Sequence, residues 1–326
     1  MDRRSFIRNS GIAFMGASLP GLVRAGSAVN SGRLVFGIPA GALGGQIADS
    51  ALALLAREYK LDYRLDVIAD RNTQTASETV KRAAPDGMTL LQSHSSSMVL
   101  FPSLYRTLKY DPVADFRPLA ALGWCPYSLT LGPAVPEQVK NLDGYLSWVS
   151  QNPDFRDIGF TIFGSQGHLL TLMLARQKEI ALRPQAYVST NSMLSDLAAG
   201  HVAAAFTLAG TASDAKAKGV RSVTITSRER MDSLPGVPTF AEQQLPDLSL
   251  VGWYGWFAPA ATPGALIQGL HDKVQAIQSL PEYVDMQKRL SIIAMPMSPE
   301  AIEAQLRAEI ASYRKIIDQY SISKLA

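Results

Sequence analysis

A single cysteine, Cys125, occurs in 326 residues, so no internal disulfide forms and packing must hold the chain together. As a nucleophile that thiol needs a histidine brought to it in space. It lies instead in the apolar run Leu122-Gly-Trp-Cys-Pro-Tyr, which points to a buried structural thiol. Histidine is also scarce. His94, His168, His201 and His271 are scattered, and none stands at a metal-ligand spacing from another His, a Cys or an acid, so no metal site is expected. Charge is thin, at 18% of residues with a net +3. Arg3, Arg4, Arg8 and Arg24 face only Asp2 in the opening stretch, so the rest is near neutral. Without a basic stripe, nucleic acid is excluded as a partner.

Catalytic signatures are missing too. Gly41-Ala-Leu-Gly-Gly-Gln is not the dinucleotide fingerprint, and no acid follows about 20 residues on. There is no phosphate-binding P-loop. Gly164-Ser-Gln-Gly lacks the Gly-x-Ser-x-Gly order of a nucleophile elbow. Ser95 beside His94 is a weak nucleophile–base pair, because chain neighbours seldom reach that geometry. His168, opening a helix, is expected to donate a hydrogen bond and not to act as a base. The expectation is a protein that is not an enzyme and needs no cofactor.

No apolar run approaches the roughly 20 residues that span a bilayer. Residues 11–19 are about half that length and have no polar face. They follow Arg3-Arg-Ser-Phe-Ile-Arg, an order resembling the twin-arginine signal, with Asp2 where Ser or Thr is usual. Residues 1–25 are therefore expected to be a signal peptide, cleaved near Ala25 on export to the periplasm.

What is present is an alternation. Residues 33–38 read as a strand, and Ile47, Ala51, Leu54, Leu55 and Tyr59 recur at helical spacing. A strand at 63–68, a short helix at 77–83 and a strand at 88–92 follow. After an extended stretch at 117–131 come helix 142–150, strand 158–163, helix 167–177, strand 185–188, helix 192–199 and strands at 202–206 and 220–225. The end is helical, with Ser298 as N-cap and Pro299 in the first helical position. Ile302, Leu306, Ile310, Tyr313 and Ile317 share one face. The pattern predicts an α/β protein of two lobes, each a mainly parallel sheet flanked by helices. Residues 32–123 plus 256–326 form one lobe and 124–255 the other. The two crossings, near 120–130 and 250–258, carry Trp124, Tyr127, Trp253, Tyr254, Trp256 and Phe257.

Ligands of open α/β sheets sit beyond the carboxyl ends of the strands. That rule selects Ala40, Gly41, Ala42, Leu43, Gly44 and Gly45 after the first strand, and Ser93, His94, Ser95 and Ser96 after the third. It also selects Gly164, Ser165, Gln166, Gly167 and His168, then Tyr187, Ser189, Thr190 and Asn191, then Phe206 and Thr207. Taken one at a time, such residues are ordinary turn and cap formers. Five such loops on one edge, several running into a helix N-terminus, point to an anion site built from backbone amides.

Several stretches resemble the Bug family, the periplasmic solute-binding components of tripartite tricarboxylate transporters. They include Arg82-Ala-Ala-Pro-Asp-Gly-Met-Thr-Leu-Leu, Tyr110-Asp-Pro-Val-Ala-Asp-Phe-Arg-Pro-Leu, Ser195-Asp-Leu-Ala-Ala-Gly-His-Val, Leu234-Pro-Gly-Val-Pro-Thr-Phe-Ala-Glu and Gly255-Trp-Phe-Ala-Pro-Ala-Ala-Thr-Pro. The matches run in order over nearly the whole mature chain. The resemblance implies a type II-like, Venus-flytrap binding protein, a monomer that holds a small carboxylate and delivers it to membrane permease subunits. A dicarboxylate, an aromatic acid or similar is expected as ligand. Other classes stay open: a sensor presenting its ligand to a membrane kinase, or an exported enzyme on the same scaffold. Two places depart from the family's pattern. Ala42 and Gly45 replace a Gly and an Asp of the first loop, and Arg71-Asn-Thr-Gln-Thr replaces a glycine-rich stretch. The missing acid predicts a pocket suited to an anion with an uncharged, partly apolar body. The alternative is that Gly45 only relaxes the turn.

Overall fold

The computed structural model describes residues 31–39, 41–211 and 219–325. The expected signal peptide and Ala40 lie outside them. Strand β1 (Gly32–Phe36) lies between β2 (Tyr63–Val67) and β3 (Thr89–His94), parallel to both. Leu34, Val35 and Phe36 are all buried, as expected of a parallel strand covered on both faces. Helix α1 (Leu43–Tyr59) covers it with Ile47, Ala48, Ala51, Leu54 and Leu55. It stops at Lys60, whose left-handed backbone lets its amide reach back to Ala56 O and Leu55 O. Helix α2 (Gln74–Lys81) starts three residues before the expected 77, directly after a loop in which Arg71, Asn72 and Thr73 all have positive φ. A π-helical turn, Ser96–Leu100, leads from β3 into α3 (Phe101–Leu104).

The crossing at 117–131 is one strand, β4 (Phe116–Leu131). It pairs along its first part with β9 (Val251–Pro259), antiparallel and with Trp124 opposite Trp253. Farther on it pairs with β7 (Ala204–Leu208) and β8 (Arg221–Ile225), also antiparallel. Beyond it, β5 (Asp157–Thr161) runs parallel to β6 (Arg183–Tyr187) and β7. The strand order among the described residues is β2-β1-β3-β9-β4-β7-β5-β6, with β8 on β4. The outer strands are thus parallel, as predicted, while the middle is antiparallel. A chain that crosses between two lobes on β4 and returns on β9 must run in opposite directions on the two.

Helices α4 (Leu142–Gln151), α5 (Gln166–Gln177) and α6 (Thr190–Ala199) flank the second group of strands. The chain ends in α7 (Gly264–Gln278), α8 (Pro281–Arg289) and α9 (Pro299–Gln319). Ser298 caps α9 by accepting from the Ala301 amide, and Ile302, Leu306, Tyr313 and Ile317 face inward. Cys125 is buried with its thiol pushed well up by desolvation, as befits a structural residue. No helix among the described residues is long and apolar enough to cross a membrane.

Candidate ligand-binding cleft

Four of the five predicted loops, all but 164–168, meet the crossing strands around a cavity of about 30 Å³. That is room for about two water molecules. Ile38, Ala42 and Leu43 line it from the first loop, His94 from the end of β3, and Thr161 and Ile162 from the end of β5. Thr190 and Met193 come from α6; Phe206, Thr207, Leu208 and Thr211 come from β7 and the turn after it. Tyr127 of β4 and Tyr254 of β9 complete the wall. Among the described residues the lining contains no Asp, Glu, Lys or Arg.

The first loop turns at Gly41, whose φ of 85° favours glycine. A Cβ there would sit 3.0 Å from Asn191 Nδ2, so this loop meets the start of α6. Ala42 is extended and caps α1 with no side chain. The Gly44 amide is met instead by the Tyr254 hydroxyl, and the Gly45 amide turns back to Ala42 O at 3.0 Å. Gly44 lies under aromatic rings: a Cβ would come within 2.5 Å of Phe36 and 2.6 Å of Tyr254. Gln92 fixes this turn, donating to Gly44 O at 2.6 Å while accepting from Trp256 Nε1 at 2.9 Å. Gly45 is an ordinary helical residue without positive φ, and a Cβ on it would meet nothing within 4 Å. Relaxing the turn is therefore the work of Gly41, not of Gly45.

Ser93 and His94 belong to β3 itself and not to the loop after it. Ser93 donates to its neighbour's carbonyl, His94 O, at 3.2 Å. His94 is buried, and desolvation lowers it to about 3, so it is neutral at ordinary pH. Its ring stands edge-on to Tyr254, 4.9 Å between centroids, and to Tyr127 at 6.4 Å. Behind it Ser95, Ser96 and Gln166 form a polar network. Ser96 Oγ donates to Gln166 Oε1 at 2.6 Å, and Gln166 Nε2 donates to Ser95 Oγ at 3.0 Å. Ser95 Oγ in turn accepts the Trp253 amide at 3.1 Å. These three residues brace the wall and do not line it.

The remaining loops divide in the same way. Ser165 caps α5, accepting from the His168 amide. Gly164, with φ of 82°, packs against Leu104, and Gly167 packs on Phe160, Phe206 and Tyr127. His168 departs from expectation: its Nδ1 accepts from the Gly164 amide at 3.3 Å. Its ring stacks on Phe160 at 4.9 Å and 17°, outside the cavity, and burial lowers it to about 4. Ser189 caps α6, and Tyr187 OH donates to Asp196 at 3.0 Å instead of facing the cavity. Of the predicted residues, Ala42, Leu43, His94, Thr190, Phe206 and Thr207 line the cavity.

Sequence reasoning singled out Tyr127 and Tyr254 as crossing-strand aromatics but did not assign them to the site. Thr161, Met193 and Leu208 carry no local signal. Ile162 does carry one in the structure, a φ of 62° in a β-branched residue, the kind of strain that gathers at functional sites. A larger groove, of about 1260 Å³, lies elsewhere, between residues 227–233, Ile293 and α9, with Glu309 in its wall. None of the five loops reaches it.

The sequence profile of the tripartite tricarboxylate transporter family receptor matches residues 68–322. A UPF0065 protein in the tcbD-tcbE intergenic region of Pseudomonas sp. (strain P51) is 26% identical over 285 residues, 86% of this chain and 84% of that one. BugT of Bordetella pertussis is 27% identical over 206 residues, 62% of this chain and 63% of that one. The solved periplasmic binding protein BugD superposes with a TM-score of 0.83 at 22% identity, over 90% of this chain and 99% of that one. Rpa4515 of R. palustris, solved with adipate, gives 0.85 at 24% identity, over 90% and 98%. MatC of Rhodopseudomonas palustris, solved with malate, gives 0.81 at 23%, over 89% and 99%. The fold is that of the two-lobed periplasmic binding proteins, and with a family match across most of its length this chain belongs to the tripartite tricarboxylate transporter receptor family.

Proposed function

We propose that this protein is exported to the periplasm, captures a small carboxylate between its lobes and hands it to the permease subunits of a tripartite transporter. It acts as a monomer, with residues 32–123 plus 256–326 as one lobe and 124–255 as the other. The observation that carries the reading is the start of α1. Its N-cap, Ala42, supplies no side-chain acceptor, and Ala42 and Leu43 line a cavity with no charged side chain among the described residues. Partial positive charge at the start of a helix, beside a cavity whose described lining is uncharged, attracts one carboxylate without a basic residue. The aliphatic and aromatic lining fits the rest of a small acid. Adipate and malate, held by the two related folds, belong to the same chemical class.

A thermal-shift screen across carboxylic acids tests this. An acid present at 100 times its dissociation constant adds about 2.7 kcal/mol of stability, a clear rise in melting temperature. If no carboxylate of any size moves the transition while the protein is folded, the reading is wrong.

A further inference from the structure

The groove of about 1260 Å³ lies behind the crossing strands, away from the cleft. From Gly123 to Pro126 on β4 and from Val251 to Tyr254 on β9 the register runs without a shift, so side chains alternate between the two faces. Tyr127 and Tyr254 line the small cavity. Trp124 and Val251, each an odd number of residues from them, line the groove. The paired strands thus separate the two spaces. Glu309 in the groove wall is partly buried, its Oε2 accepting from Trp253 Nε1 at 2.8 Å and its Oε1 from Gln305 Nε2 at 2.7 Å. Burial raises its carboxyl, and no cation counters it among the described residues. The other charged side chains of the groove are exposed and of both signs: Arg228, Arg230 and Lys288 against Glu229 and Asp232, with Arg230 held by Glu242 at 2.9 Å. Two polar side chains are left over. Gln287 and Ser291 are 8% and 6% exposed, both line the groove, and neither side chain hydrogen-bonds to another described residue. Polar side chains so deeply set normally find partners within the fold. Beside them Ile293 is left 41% exposed, with Leu250, Val251 and Ile316 in the same lining.

We propose that this groove is a second ligand site, taking an amphipathic organic cation: an amine whose ammonium meets Glu309, whose apolar body lies along Ile293 and its neighbours, and whose other polar groups pair with Gln287 and Ser291. An ammonium supplies the positive charge that a partly buried carboxylate otherwise lacks, and both Glu309 oxygens keep a lone pair for it. A metal ion suits these donors poorly. Hard cations take six or more oxygens, and no cluster of metal ligands forms among the described residues. A second carboxylate would meet Glu309 as a like charge. The volume is ample for an amine with one or two rings, and the apolar lining with a few polar groups is what such a body requires.

Calorimetric titration of the mature protein with phenethylamine and tryptamine, against 2-phenylethanol as the neutral counterpart, tests this. The amines should bind about tenfold or more tightly than the alcohol, the scale of one charge-assisted hydrogen bond. Glu309→Gln keeps an acceptor for the Trp253 indole and should bring the amines down to the level of the alcohol. Ile293→Lys, at a half-exposed position, sets a competing cation in the groove and should weaken the amines about tenfold while leaving the alcohol within a few-fold. Should Glu309→Gln fail to fold, the wild-type contrast and Ile293→Lys decide. Absence of amine binding at millimolar concentration overturns the proposal, as does equal binding of amine and alcohol. Amine affinity that neither substitution changes also overturns it, since the amine then sits elsewhere. Carboxylate capture in the cleft stands or falls separately, by the screen of acids.

Discussion

Two buried histidines make the folded state sensitive to acid. Burial lowers His94 to about 3 and His168 to about 4, from an ordinary value of 6.5. Below 6.5 the unfolded chain takes up protons that the folded chain refuses, so stability falls as pH falls. Above 6.5 neither state protonates these rings and their contribution is flat. Glu309 works the other way, since burial raises its carboxyl and the folded state binds that proton first. The histidines outnumber it, and between pH 6.5 and 5 ordinary carboxylates have not begun to titrate. Urea midpoints should therefore drop across that window, as the unfolding free energy falls by up to about 1.4 kcal/mol per pH unit for each histidine. His94→Gln should show a shallower drop. A wild-type midpoint that is flat from pH 6.5 to 5 contradicts this account. Both rings were visible in the sequence as loop residues. Their neutrality was not, because desolvation depends on what packs over them: Tyr127 and Tyr254 on one, Phe160 and Phe163 on the other.

Among the elements, the start of α1 matters most. Its helical pattern was legible from Ile47 to Tyr59, but its first residue is Leu43. The absence of a cap residue hid the start. Where Ser165, Ser189 and Ser298 stand before α5, α6 and α9, the boundary is local chemistry and can be read. Gly45 sits in the first turn of α1, with open space where a Cβ would go. An acid there meets no clash and lies at the favourable end of the helix dipole. Gly45→Asp should leave the melting temperature unchanged or raised. Its charge opposes a bound anion, so affinity for the carboxylate found by screening should weaken by about 1 kcal/mol or more. Unchanged affinity in a folded variant would mean that the anion does not sit at this turn.

At the scale of the whole molecule, the described structure has its cleft drawn shut. Asn72 Nδ2 donates to Phe163 O at 2.6 Å and to Tyr105 OH at 2.8 Å. With the lobes as proposed, the first of these bonds ties one lobe to the other, as do those of Gln166 to Ser95 and Ser96. Asn72 lies in the loop where Arg71, Asn72 and Thr73 all have positive φ, a backbone held by its surroundings. Hinge bending about β4 and β9 would break these bonds and open the cavity. Small-angle scattering should show a smaller radius with bound carboxylate than without. Asn72→Ala should enlarge the ligand-free form or weaken binding several-fold, by removing a contact made only when closed. Superimposable curves with and without ligand, binding being confirmed, would rule out closure of this kind.

The sequence by itself determined the α/β alternation, the two crossings, the start of the last helix at the Ser298 cap, and the loops from which a site would be built. These depend on periodicity and on hydrogen bonds within a few residues, and such interactions are written locally. Only the tertiary structure decided which of those residues meet. Tyr127 and Tyr254 come to one cavity because β4 pairs antiparallel with β9, and the register that sets Trp124 opposite Trp253 governs both. His94 joins them because β3 pairs on the other edge of β9, opposite Tyr254. Strand register between distant segments is settled by the burial of whole faces at once. No local stretch of the chain carries that information, so the loops could be read in advance and the walls could not.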